Sequence, residues 1–276
     1  FRSSTFMISY VRNVGKTVLA AVVSLVFIVG AAGCGNTQKD DGPDYADDEA
    51  MSIIAKAYQK RSDVLDQYEQ KKDTDSVKHV KDAVQAEIDN DEPLKERQFK
   101  DSKLQEKVIT YINLLEDSQK VNEDYSYLSS DYSTEWTKVY DKRSALLKDF
   151  VDNYKLTVDS KYQDPLNDIV ANGSSVKKKT ETEDALNNLI ASATFEKTDD
   201  GYGYYAYSAV IENISGIDFG TVNLILALYD ADGVKAAEVY ASTNAWPAGE
   251  KVKFETGSDA DAAQVKASVD HYEVDD

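Results

Sequence analysis

The stretch GTVNLILALYDADG, residues 220–233, decides the fold of the C-terminal part of the chain. A near-continuous run of apolar residues comes first, and an Asp-Gly turn signal follows it at Asp232-Gly233. A short apolar run bounded by a turn signal is typical of a buried strand. The stretch therefore predicts a strand that ends near Asp230, just before a tight turn.

Strand-like segments continue on both sides of this stretch. Upstream, residues 194–197 and 202–213 predict two strands, with Asp200-Gly201 turning the chain between them. Downstream, three further segments predict strands, over residues 234–242, 251–256 and 262–274. Six short strands separated by frequent turns predict an antiparallel β-sandwich.

The same stretch carries a resemblance to a known family. LALYDADG, residues 226–233, is followed by WPAGE at 246–250 and by VKF at 252–254. This order of segments resembles the FxLYD domain. Leu228-Tyr229-Asp230 match the triplet that names the family, and Leu226 stands where phenylalanine is usual.

The resemblance covers about residues 193–276. It implies an immunoglobulin-like β-sandwich of the kind found in bacterial, often Gram-positive, surface lipoproteins. Asn213, which ends a predicted strand, also fits the layout of the family. The family has no established catalytic site, so the resemblance implies an architecture and a location but no chemistry.

Tyr229 and Asp230 have structural roles that do not depend on the family. Tyr229 is expected to lay its ring on the sheet while its hydroxyl bonds to a backbone group. Asp230 is expected to accept amide hydrogen bonds across the turn that follows it. Both roles stabilise the strand end and require no ligand.

Between about Asp48 and Ser192 the apolar residues recur at steps of three and four, which predicts amphipathic helices. The apolar members of the first stripe are Met51, Ile54, Ala57, Tyr58, Val64, Leu65 and Tyr68. Arg61 lies at a position of the same stripe. Three more stripes follow, beginning at Val77, Leu104 and Trp136. Narrow stripes of this kind suit antiparallel helices in a bundle or hairpin.

Several residues predict where these helices begin and end. Pro93 is expected in the first turn of the third helix, and Ser133 is a candidate cap of the fourth. Two shorter helices are expected, one over residues 165–171 that Asn172-Gly173 stops, and one over residues 181–190.

The beginning of the chain has the three parts of a secretory signal. Basic residues precede an apolar run, Val18–Ala32, which is shorter than the roughly 20 residues of a membrane span. The run ends in Ala31-Ala32-Gly33-Cys34, which resembles the lipobox of bacterial lipoproteins. The resemblance implies cleavage between Gly33 and Cys34 and a diacylglyceryl group on the Cys34 thiol. The alternative is a buried free cysteine in a membrane anchor.

The composition restricts the partners of the chain. It has 31 basic and 50 acidic residues, a net charge of −19. Loss of residues 1–33, which hold three basic and no acidic residues, makes the charge −22. Such a surface repels phosphate backbones and anionic lipid headgroups, which argues against nucleic-acid binding. Cys34 is the only cysteine, so no disulfide forms within the chain.

No sequence motif for catalysis stands out. His79 and His271 are the only histidines, and neither has ligands at the spacing that a zinc site requires. YDADG, residues 229–233, does not fit the register of a calcium loop, although Asp259 and Asp261 offer further carboxylates. A carboxylate pair for glycoside hydrolysis stays open, because 50 acidic residues offer many pairs. The aromatic segment 201–207 suits sugar stacking or simply a strand.

We therefore predict an α+β multidomain chain. Its parts are a lipoprotein signal peptide over residues 1–33, a flexible acidic tether over 34–48, an α-helical bundle or hairpin domain over 49–191, and an FxLYD-like immunoglobulin-like β-sandwich over 192–276. The two domains are expected to fold separately.

The predicted function is non-catalytic recognition or scaffolding by a protein that lipid on Cys34 anchors to the cell membrane, on the extracytoplasmic side. A Gram-positive surface is favoured, with an envelope protein or cell-wall component as partner. The alternative is a cell-envelope hydrolase or an accessory subunit of one. No cofactor or metal is expected. Trp246, in the segment TNAWPAGE, is the candidate partner contact, unless its ring folds over the end of the sandwich.

Overall fold

The computed structural model describes residues 44–275, which form five α-helices followed by six β-strands. The helices are α1 Ala50–Lys71, α2 Lys78–Asp91, α3 Ser102–Asp124, α4 Ser130–Tyr154 and α5 Gln163–Ala191. The strands are β1 Glu196–Gly201, β2 Tyr204–Glu212, β3 Phe219–Tyr229, β4 Lys235–Thr243, β5 Lys251–Ser258 and β6 Gln264–Val274. The predicted order of helices first and strands second is confirmed.

The chain divides into two compact units after Val176, inside α5. The prediction placed the boundary at Ser192, where the helical periodicity ends. It lies earlier because the last turns of α5 belong to the β unit: Leu186, Leu189 and Ile190 are buried in the same hydrophobic cluster as the strands. A change in periodicity marks the end of a helix, whereas a domain boundary follows from which core the side chains join.

The helical unit is built around one hydrophobic cluster to which all five helices contribute. Its largest fully buried side chains include Tyr111, Tyr132, Phe150 and Leu147. Local capping agrees with the sequence only in part. Ser129, not Ser133, caps α4, because its Oγ accepts a hydrogen bond from the Tyr132 amide at 3.1 Å.

Two predicted helix boundaries are wrong. Pro93 lies in the first turn of a short 3-10 helix, Glu92–Glu96, and α3 starts later, capped by the Asp101 side chain. Asn172-Gly173 does not stop a helix, since α5 runs through it. The glycine is there for close packing: a Cβ on Gly173 would lie 2.3 Å from the Ser144 carbonyl oxygen of α4.

The β unit consists of two antiparallel three-stranded sheets, in the orders β1-β2-β5 and β4-β3-β6. The apolar stretch before Asp230 is β3, the central strand of its sheet. Its inward residues Val222, Leu224, Leu226 and Leu228 are all 0 % exposed. Inward residues of both sheets share one hydrophobic cluster.

The first hairpin turns later than predicted. Asp200-Gly201 still belongs to β1, and the turn is Tyr202-Gly203, with φ angles of 57° and 76°. Two-residue hairpins favour positive φ at both turn positions, because that twist matches the flanking strands. Gly201 also has a positive φ, 89°, but it pairs with Tyr204 and so lies at the end of β1.

The last residues of the predicted tether are ordered. Ala46 is 0 % exposed, and Tyr45 pairs with Gln98 in a short parallel bridge. The Asp47 carboxylate accepts hydrogen bonds from the amides of Lys100 and Asp101, each at 2.8 Å. The polar, acidic composition of this segment predicted flexibility, but its carboxylate is used to hold the entrance to α3.

Candidate functional site

The predicted lipidation and cleavage residues, Gly33 and Cys34, lie outside the described residues. Trp246, the predicted partner contact, is described and is 0 % exposed. Its ring packs against Phe254, edge-on at 5.2 Å, and against Phe219 at 6.0 Å. Its Nε1 donates to the Glu250 carbonyl at 3.2 Å. Trp246 is therefore a core residue, because the fold offers its ring two aromatic neighbours.

Asn213 fixes the two loops around Trp246. Its side-chain amide is buried and donates to the carbonyl oxygens of Ile217 at 2.7 Å and Trp246 at 2.8 Å. Its Oδ1 accepts hydrogen bonds from the Ser215 amide and hydroxyl. The sequence singled out Asn213 only through the family layout, and the structure gives it a physical role as a connector of loops.

Asn213→Asp is expected to destabilise the β unit by about 2–3 kcal/mol, because it removes two donors and turns a carboxylate toward two carbonyl oxygens. Asn244→Asp, at an exposed position one loop away, is the matched control and should stay within about 0.5 kcal/mol. Urea denaturation of both variants measures the difference. Equal stability of the two would show that Asn213 has no such role.

The predicted backbone hydrogen bonds are found for Asp230, whereas Tyr229 makes a different contact. Asp230 accepts hydrogen bonds from the amides of Asp232 at 3.0 Å and Val234 at 2.9 Å, as expected. Tyr229 instead lies beneath the Lys266 ammonium group, 4.8 Å from its ring centre. The hydroxyl-to-backbone role falls to Tyr207, which donates to the Ala260 carbonyl and accepts from the Ala262 amide.

The most unusual chemical feature of the described residues is a buried polar cluster in the helical unit, formed by Arg61, Glu87, Asp91, Tyr111 and Arg143. Arg143 Nη2 donates to both Glu87 carboxylate oxygens, at 2.8 and 3.0 Å. Arg61 Nη1 donates to Glu87 at 2.9 Å, and the Tyr111 hydroxyl donates to it as well. Glu87 is 0 % exposed and Arg143 3 %. Four helices thus converge on one carboxylate.

The two acids of the cluster differ in charge because their surroundings differ. Burial alone would raise the pKa of Glu87, but the charges of Arg143 and Arg61 outweigh it and lower that pKa. For Asp91, burial and the neighbouring Glu87 charge raise the pKa well above its ordinary value, against the opposing charge of Arg143. These opposite pKa directions favour the ionised form of Glu87 and the neutral form of Asp91.

The Arg143 guanidinium is also held by aromatic rings. Its centre lies 5.7 Å from the ring centre of Tyr58 and 5.5 Å from that of Tyr111. Cation–π contacts of this kind gain strength when water is excluded. The acids of the cluster and Arg143 are therefore shielded from solvent, and only Arg61 at its edge is partly exposed.

The sequence contains a signal for this cluster: some positions of the apolar helix stripes carry charged residues. Glu87 and Asp91 follow Val84 and Ile88 by three residues each, so they continue the apolar stripe of α2. Arg143 lies at the same spacing between two apolar pairs of α4. Charged residues on an apolar stripe are expected to be buried, and a buried charge requires a partner. The stripe does not show which helices supply that partner.

Neither a metal site nor a membrane span is found in residues 44–275. In this part of the chain no three side chains of the types His, Cys, Asp and Glu are placed to hold a metal ion. None of the helices described is both long and apolar enough to cross a bilayer. His79 contacts Tyr68 and Tyr127, and its Nδ1 lies 2.6 Å from the Ser76 carbonyl, so it serves local packing.

Comparison with known proteins gives no relative. No protein-family model matches the chain, and neither the curated proteins nor the solved structures include a significant match.

Proposed function

We propose that this chain is a membrane-anchored bacterial surface lipoprotein with a non-catalytic role in recognition or scaffolding. The observation that carries the proposal is the N-terminal pattern: a basic segment, a short apolar run and Ala-Ala-Gly before the only cysteine. Sulfur is a strong nucleophile toward a lipid donor, and acylation with two chains anchors a protein stably.

The β unit is proposed to be an immunoglobulin-like sandwich of the FxLYD type. Support comes from the two antiparallel sheets with a common hydrophobic cluster and from the position of LALYDADG, which covers the end of β3 and its turn. In such folds loops and strand edges bind partners. Since Trp246 is buried, the contact surface is proposed to lie elsewhere on the β unit or on the helical unit.

The buried position of the two acids with shifted pKa values, Glu87 and Asp91, supports a non-catalytic role. Catalysis at neutral pH uses groups whose pKa values are tuned and that touch the substrate. Glu87 and Asp91 have the tuning but are both 0 % exposed, inside the helical core. Their contacts serve the packing of four helices, which is a structural use of charge.

Cys34→Ala is expected to leave an uncleaved precursor that takes up no labelled fatty acid, because the thiol is the atom that receives the lipid. Ser24→Ala, within the apolar run, is the matched control and should be labelled and cleaved normally. Metabolic labelling followed by electrophoresis checks both variants. Equal labelling of Cys34→Ala and the unchanged chain would refute lipidation at this residue.

Crosslinking in intact cells tests the recognition role separately. Retention of a specific envelope protein or of cell-wall material without turnover is the expected result. Turnover of cell-wall glycans or peptides, abolished by substitution of a single carboxylate or histidine, would replace this proposal with the hydrolase alternative.

A further inference from the structure

The buried polar cluster of the helical unit contains three polar atoms that the side chains leave unpaired. Nε of Arg143 and both carboxyl oxygens of Asp91 are buried and have no hydrogen-bond partner among the described residues. Asp91 is 0 % exposed. Buried polar groups in native proteins are nearly always satisfied by protein or by ordered water. A donor and two acceptors in one cluster therefore point to a shared partner.

Arg143 is not free to turn toward Asp91. Its Nη2 is bonded to both oxygens of Glu87, and the rings of Tyr58 and Tyr111 lie within 6 Å of its guanidinium centre. Turning Nε toward Asp91 would break the charge-assisted bonds to Glu87, which are stronger than neutral ones. Asp91 is the last residue of α2 and lies one turn after Glu87 on the same face.

The charges around the site decide what fits there. A cation at this position would be repelled by Arg143. An anion would lie against Asp91 and be repelled by the ionised Glu87. The carboxyl group of Asp91 also lies at the C-terminal end of a helix, where negative charge is disfavoured. The fitting partner is a small neutral molecule that both accepts and donates hydrogen bonds. Water has these properties, and internal waters typically make two to four such bonds.

We propose that one buried water molecule accepts a hydrogen bond from Nε of Arg143 and bonds to the carboxyl group of Asp91. The raised pKa of Asp91 favours the neutral acid as the partner of this water. The water completes the buried polar cluster without adding charge. The groups that face Asp91 are Glu87 on its own helix, Tyr111 on α3 and Arg143 on α4, and Arg61 on α1 acts through Glu87. This inference is independent of the proposed function.

A crystal structure of the full chain in detergent, at a resolution that shows ordered water, tests the position. The expected result is a water within hydrogen-bond distance of both Arg143 Nε and an Asp91 oxygen. A direct hydrogen bond between these two groups, or close apolar packing with no water between them, would overturn the proposal.

Titration of the carboxyl ¹³C signals of the full chain tests the neutral acid. The signal absent from Asp91→Asn is assigned to Asp91, and it should stay in its protonated position well above pH 4. Titration of that signal near pH 4 would contradict the neutral acid.

The pH dependence of the unfolding equilibrium gives a second test, which does not require the carboxyl ¹³C signal to be assigned. A raised pKa in the folded state means that the folded chain holds a proton that the unfolded chain releases. From about pH 4 upward to the folded pKa, the unfolding equilibrium constant of the unchanged chain should therefore rise about tenfold per pH unit relative to Asp91→Asn. Below pH 4 the ratio should be constant.

Asp89→Asn is the matched control, since Asp89 is exposed on the same helix and bonds only to Gln85. It should follow the unchanged chain within about twofold at every pH. If the ratio for Asp91→Asn were as flat as that for Asp89→Asn, Asp91 would be ionised in the folded chain and the proposal would fail.

Discussion

Glu87→Ala is expected to destabilise the helical unit by about 3–5 kcal/mol, since removing one partner of a buried ion pair leaves the other charge uncompensated. Arg143 is the residue left behind: it is 3 % exposed and donates two hydrogen bonds to Glu87. Arg61 loses less because its side chain is 11 % exposed and reaches water. Urea denaturation followed by helical circular dichroism measures the change.

Glu116→Ala is the matched control for this experiment. Glu116 also pairs with a cation, Lys95, but both side chains are partly exposed, so the loss should stay below about 1 kcal/mol. The double variant Glu87→Met with Arg143→Met should lose less than either single change, because the buried Arg143 charge is then gone and Arg61, which loses its partner, is partly exposed. A loss equal to the sum of the single variants would show that the two residues stabilise the unit independently.

A fragment of residues 192–276 is expected to be less stable than a fragment of residues 177–276 by about 4 kcal/mol. The shorter fragment lacks Leu186, Leu189 and Ile190, which are 0 %, 5 % and 3 % exposed in the cluster of the β unit. Full burial of each such side chain contributes about 1.5–3 kcal/mol, and the extended-chain reference makes the sum an upper value. Thermal and urea unfolding of both fragments provide the comparison.

A variant of the longer fragment with these three residues changed to alanine distinguishes the effect of burying their side chains from the effect of a longer helix. It should melt near the shorter fragment, because the apolar contacts are gone while the helix length is kept. Lys177→Ala in the longer fragment is the control, since its side chain is largely exposed. Equal stability of residues 177–276 and 192–276 would mean that the strands alone complete the β core.

Much of the β unit was predictable because strand signals are local. The apolar run before Asp232-Gly233 predicted β3, and the five other strands were found within a few residues of their true ends. The helices were predictable from their stripes, but Gly173 shows the limit of local rules. Its role depends on the Ser144 carbonyl of another helix, and a single helix sequence does not contain that contact.

The candidate sites were less predictable, for physical reasons. Trp246 is an interface anchor or a core residue depending on whether Phe219 and Phe254 lie beside it, which the sequence does not state. The buried polar cluster joins residues from four helices, so its members meet only in three dimensions. Its members were visible as charges on apolar stripes, whereas their pairing followed from helix packing.

The segment from Asp44, the first of the described residues, limits how far the start of the helical unit can stand from a membrane. With Cys34 acylated as proposed, ten residue steps separate the anchor from Asp44. An extended chain covers at most about 3.3–3.6 Å per residue, so the longest possible reach is about 35 Å. The predicted tether, ending at residue 48, would have allowed about 50 Å. If Cys34 is acylated as proposed, a partner that binds the helical unit at its entrance near Asp44 must therefore reach to within about 35 Å of the membrane.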